Sequence, residues 1–86
     1  QFMFGGEPQK ISFNYYGPSV EAVLDKFPMA KIVDKQEGAC SIEAEVFGTG
    51  VKMWLLSQGS KVKVTAPETL VQEMKQEIER MNNQYK

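Results

Sequence analysis

Hydrophobic and polar residues alternate along Lys10–Tyr16: Ile11, Phe13 and Tyr15 fall on one side, Ser12, Asn14 and Tyr16 on the other. A period of two marks a half-buried strand. Gly17-Pro18 ends it, and Ser19 is placed to cap a helix through its hydroxyl. The period then changes. Val20, Val23, Leu24 and Phe27 recur at i, i+3, i+4 and i+7, one stripe of an amphipathic helix. Glu21 lies in its first turn, where the helix dipole favours a negative charge. Pro28 stops the helix by pushing Phe27 out of helical geometry.

Ala30–Lys35 predicts a second strand, with Ile32 and Val33 its best β formers, and Gln36-Glu37-Gly38 a turn. Ser41–Phe47 is the cleanest strand pattern, with Ile42, Ala44 and Val46 facing one way and Glu43, Glu45 and Phe47 the other. A short glycine-containing turn between the two predicts an antiparallel hairpin. Gly48-Thr49-Gly50 breaks the pattern. Val51, Trp54 and Leu55 give a short helical stripe that ends near Gly59 as a left-handed cap. Ser60–Thr65 alternates again, Val62 and Val64 inward, Lys61 and Lys63 outward. Thr65 and Glu68 have capping-box spacing, and Pro67 suits a first helical turn. The final helix carries Leu70, Val71, Met74, Ile78, Met81 and Tyr85 as one long apolar stripe, with Lys75 and Glu79 as an i, i+4 charge pair.

The order β-α-β-β-α-β followed by a helix is that of an α+β ferredoxin-like domain. Right-handed crossovers put both internal helices on one face of an antiparallel sheet. The expected strand order is 4-1-3-2, with the first and third strands central. The chain reads as one domain: a lead-in at 1–9, a ferredoxin-like core at 10–66 and a C-terminal helix at 67–86.

Composition narrows the function. The chain has 86 residues, 42% hydrophobic and 24% charged, enough for one small core. Ten basic and eleven acidic residues leave a net charge of −1, without the basic excess on which nucleic-acid binders rely. The longest apolar run, Met53–Leu56, is far short of the ~20 residues that span a bilayer. Cys40 is the single cysteine and has no histidine to activate it, so it reads as a small packing residue. The absence of histidine removes the commonest general acid–base and every triad that needs one. No cofactor or metal site is expected.

Three stretches carry a family resemblance: Met3-Phe4-Gly5-Gly6-Glu7-Pro8 leading into a strand, Val51-Lys52-Met53-Trp54-Leu55-Leu56-Ser57-Gln58-Gly59 as a small helix, and Val62–Leu70 as strand, proline turn and helix start, with Tyr85 near the end. Together they resemble the WCX domain, the C-terminal extension of WYL-domain bacterial transcriptional regulators. The resemblance spans nearly the whole chain and rests on the order of elements plus short motifs. It implies a non-catalytic regulatory and dimerisation module of a cytoplasmic, DeoR-like regulator. The middle WYL domain and the N-terminal helix-turn-helix then lie upstream of Gln1, and DNA is contacted by that helix-turn-helix. The resemblance also implies a homodimer and an effector, small molecule or nucleic acid. Trp54-Leu55 is not the Trp-Tyr-Leu motif that names the middle domain, so that domain's sensing residues do not carry over.

Other families share the element order. An amino-acid-binding, ACT-like sensor or a nucleotide sensor is the alternative. An acylphosphatase needs an arginine in the loop after the first strand; Tyr16-Gly17-Pro18-Ser19 has none, and Arg80 is the only arginine. An RNA-recognition domain stacks bases on exposed aromatics of the central strands. Tyr16 and Phe47 fit that role, but Glu43 and Glu45 beside them repel phosphates. Glu43 and Glu45 as an acid–base pair or cation site is weighed against a solvated strand face, and the solvated face is favoured. Trp54 as a binding platform is weighed against core, and core is favoured.

The candidate partner or ligand face is therefore the side of the sheet away from the crossover helices: Asn14, Tyr16, Glu43, Glu45, Phe47, Lys61 and Lys63, with Ser12 among them. Lysines are expected toward one edge and glutamates toward the other, so that a twofold axis sets one copy's lysines on its partner's glutamates. The rival expectation is that the last helix folds across this face.

Overall fold

The computed structural model describes residues 8–47 and 50–86; Met3–Glu7 of the lead-in motif and Gly48-Thr49 of the expected break lie outside the described residues. The elements are β1 (Pro8–Tyr15), α1 (Val20–Lys26), β2 (Lys31–Gln36), β3 (Ala39–Phe47), α2 (Gly50–Ser57), a 3-10 turn (Gly59–Lys61), β4 (Val62–Ala66) and α3 (Glu68–Asn83). The four strands form one antiparallel sheet in the order β2-β3-β1-β4. This is the ferredoxin-like arrangement, with β1 and β3 central and a helix added at the C-terminus.

The alternation read in the sequence is the alternation of burial. Ile11, Phe13 and Tyr15 of β1, Ile42, Ala44 and Val46 of β3, and Val64 of β4 point into one core with Val23 and Phe27, Val51 and Leu55, and Leu70 and Met74. Phe13 packs against two aromatics, its ring 6.4 Å from Phe27 and 6.0 Å from Trp54, and Phe27 and Trp54 meet edge to face at 4.9 Å, closing a triangle of rings. Such pairs add to the burial of apolar area.

α3 joins this same core. Leu70 and Met74 pack with the β1, β3 and β4 side chains, and Lys52 of α2 reaches Glu77 of α3 at 3.9 Å. The last helix therefore lies beside α2 on the covered side of the sheet and leaves the opposite face open. Only its first half is used. Ile78, Met81 and Tyr85 continue the stripe past the core and are exposed.

β2 departs from the half-buried pattern of its neighbours: all six of its residues are exposed. It is an edge strand, and the helix layer does not reach over it. A bulge at Val33, between Ile32 and Asp34, shifts its register against β3 and breaks the alternation that a strand pattern needs.

The helix starts also differ from expectation. Ser19 occupies the cap position of α1, yet its hydroxyl makes no capping bond; its backbone carbonyl accepts from the Ala22 N–H at 3.2 Å instead. The capping box of Thr65 and Glu68 does not form, because Thr65 is still in β4 and Pro67 is the residue flanking α3. Lys75–Glu79 is not among the ion pairs of the described residues; both of those pairs fall on Glu77, with Arg80 at 2.6 Å and with Lys52. Two glycines sit where a left-handed backbone is required: Gly38 (φ 80°) in the β2–β3 turn and Gly59 (φ 62°) just beyond α2.

Candidate functional site

Register fixes what shares the open face. Residues directly opposite in an antiparallel pair lie on the same side. Lys10 sits opposite Glu45, Ser12 opposite Glu43, and Asn14 opposite Ser41 across β1 and β3. On the outer strands, Lys31 sits opposite Glu43, Asp34 opposite Ser41, and Lys63 opposite Asn14. The Ser41 hydroxyl donates to Asn14 Oδ1 at 2.9 Å, tying the middle of the face together. The open face is thus a small polar centre of Ser12, Asn14 and Ser41 with charges of both signs around it. None of these charges takes part in an ion pair of the described residues.

The structure brings together only part of the face expected from sequence. Asn14, Glu43, Glu45 and Lys63 share it as expected. Phe47 lies at one end, opposite Pro8, whereas Tyr16 lies just past Tyr15 at the other. Eight residues of β1 separate these ends, about 27 Å at ~3.4 Å per residue. The two aromatics therefore cannot act as one stacking platform. Lys61 belongs to the 3-10 turn before β4, where its carbonyl accepts from the Tyr16 N–H at 2.8 Å. As expected, the glutamates, on the inner strand β3, lie on the β2 side of the sheet, and Lys63 is on β4 at the opposite edge. The acidic edge group is Asp34 of β2, and two further lysines, Lys10 and Lys31, stand beside Glu45 and Glu43.

A second feature lies at the rim of the core. β2 begins opposite Glu43, so β3 runs on beyond it through Glu45–Phe47. Beside this stretch is an open cleft of about 510 Å³ walled by Phe27, Pro28, Met29, Phe47, Val51 and Trp54. Lys26 and Glu45 supply its charges. Trp54 is half-buried: it packs edge to face with Phe27 and tilted against Phe13, and it also lines the cleft. Trp54 thus packs against the core, as expected, and also borders the cleft. A smaller cleft of about 320 Å³ follows β1, where Tyr16-Gly17-Pro18 meets Lys35 and Cys40. Cys40 there is half-buried against the core.

The acidity of Glu77 is set by its surroundings. The hydrogen bond from Arg80 and then its charge hold the Glu77 carboxyl below the ordinary glutamate value; desolvation opposes them, and the charge of Lys52 adds the smallest contribution in the same direction as Arg80. The cluster is a clamp between α2 and α3. Among the described residues, no polar or charged side chain is buried and no three carboxylate or thiol groups converge. No helix among them is long and apolar enough to cross a membrane.

No curated protein matches the chain. The family model of the WCX domain matches residues 9–81, from the start of β1 to the last turns of α3. The chain belongs to the WCX domain family.

Proposed function

We propose that this domain is a non-catalytic assembly module of a WYL-type transcriptional regulator in the cytoplasm, and that it works by bringing two copies of the regulator together. The family match over residues 9–81 carries this reading. The WYL and helix-turn-helix domains are then supplied by the same parent chain upstream, and the helix-turn-helix contacts DNA. The mixed charges of the open sheet face agree with a protein partner rather than with nucleic acid, which draws its affinity from a basic surface. Sedimentation equilibrium of the 86-residue chain tests the reading. Apparent mass is expected to rise from 9.7 kDa toward twice that value with concentration. A mass fixed at the monomer value up to millimolar protein contradicts it.

The cleft beside Trp54 favours a second role, response to an effector, as in an ACT-like sensor. Its volume of about 510 Å³ is within the ~300–1,000 Å³ usual for small-molecule sites, and its walls are apolar. Titrating the chain with free amino acids and with nucleotides while following Trp54 fluorescence tests this. Saturable quenching supports sensing, and a flat response to both classes removes it.

A further inference from the structure

The open face is self-complementary about one particular axis. Its charges can be placed in rows that cross the four strands. One row reads Asp34, Ser41, Asn14, Lys63 from β2 to β4; another reads Glu45, Lys10 across β3 and β1. Acidic groups occupy the β2–β3 half of both rows and basic groups the β1–β4 half.

Consider a twofold axis lying against this face, parallel to the strands and midway between β1 and β3. Rotation by a half-turn lays a second copy face to face on the first. It carries β4 over the partner's β2 and β1 over the partner's β3, and it keeps each row in place. Lys63 then lies over the partner's Asp34 and Lys10 over the partner's Glu45, and the reciprocal pairs follow by symmetry. That makes four ion pairs from four residues. The polar centre repeats the logic, with Asn14 over Ser41 and Ser12 over Glu43. Lys31 lies over Ala66, which carries no charge, and keeps Glu43 as its neighbour within its own sheet. In no row do like charges meet.

We infer that the open faces of two copies stack in this way, the Lys63–Asp34 pairs closing the two outer edges and the Lys10–Glu45 pairs the interior. The inference rests on the assembly role proposed above and names the surface that performs it. Spacing permits it. Facing sheets pack about 10 Å apart, within the combined reach of a lysine and a carboxylate side chain. Aligned sheets cross at about −30°, which tilts the axis slightly from the strand direction without exchanging the rows. The footprint is roughly 19 by 24 Å, from four strands at ~4.8 Å and seven residues at ~3.4 Å. That is smaller than the ~800 Å² per partner of a standard interface. The stack is therefore weak, and its exposed ion pairs make it salt-sensitive.

Two variants test it: the acidic-face Lys10→Glu with Lys63→Glu, and the basic-face Asp34→Lys with Glu45→Lys. All four residues lie on the open face outside the core, and far-UV circular dichroism confirms that both variants fold. In sedimentation equilibrium at low salt, each variant alone is expected to self-associate at least tenfold more weakly than the wild type. An equimolar mixture is expected to recover wild-type or tighter association as a heterodimer, because every pair is then opposite in sign. If wild type and both variants associate equally, this face is not the interface, although the assembly role survives. If the mixture fails to recover association that each variant has lost, the row pairing is wrong. If the wild type is a monomer throughout, both this inference and the assembly role fall.

Discussion

Replacing Phe13 with alanine removes the side chain on which both sheet and helices converge. Phe13 is 0% exposed, and its ring contacts Phe27 and Trp54. Truncating a buried phenylalanine costs about 3–5 kcal/mol, the lost transfer energy plus the cavity left behind. A domain of 86 residues has about 4–13 kcal/mol of stability in total, at ~0.05–0.15 kcal/mol per residue. The variant is therefore marginal, with a midpoint lower by roughly 12–40 °C at ~4–8 °C per kcal/mol. Phe47→Ala is the matched control. It removes the same atoms from the open face, where Phe47 is 61% exposed, and should change stability by no more than about 0.5 kcal/mol. Urea unfolding of both variants, followed by circular dichroism and by the single tryptophan, measures the difference. Equal losses for the two variants, or a loss below about 1 kcal/mol for Phe13→Ala, would refute the assignment of the covered and open faces.

Three further outcomes follow from local structure. Gly38→Ala places a side chain at φ 80° in the hairpin turn and should cost about 1–2 kcal/mol in urea unfolding, with Gly38→Asn less harmful because asparagine tolerates this region. Gly17→Ala drives a methyl group into the Tyr15 phenol, so Tyr15 must shift and the midpoint should fall; an unchanged midpoint contradicts the close approach. Glu77 has its acidity raised by Arg80 and Lys52, so its folded-state value lies below its unfolded one. Its contribution to stability is then full above the unfolded value and is lost as pH falls through the folded value, beneath about 4.5. Glu77→Gln should flatten this acid limb in unfolding measured across pH, and an identical acid limb in both proteins contradicts the clamp.

Local pattern carried most of the fold. In β1 and β3 the alternation of Ile11, Phe13, Tyr15 and Ile42, Ala44, Val46 is the burial itself, because both strands are central and have one covered face. The same reasoning stopped at β2. Ile32 and Val33 signal a strand, but only the extent of the helix layer decides whether an edge strand is buried, and the bulge at Val33 hides which residues share a face. The α3 stripe shows the same limit: Leu70 through Tyr85 is continuous in sequence, yet the sheet is long enough to use only its first half. Capping motifs failed where a competing element held the residue, as β4 holds Thr65. On the candidate face, Lys10 is legible from its step of two to Ser12 and Asn14, though it stands at the very start of the strand pattern. Asp34 and Lys31 were not legible, since pairing across the bulge assigns them.

The role proposed for this domain is to join two copies of a WYL-type regulator. The most direct measurement takes the full-length parent protein with and without residues 9–81 and determines its mass and its affinity for a two-half-site operator under one salt condition. Deletion is expected to weaken self-association and to lower operator affinity at least tenfold, while binding to a single half-site is unchanged. Equal dimerisation and equal operator affinity in the two proteins would contradict it.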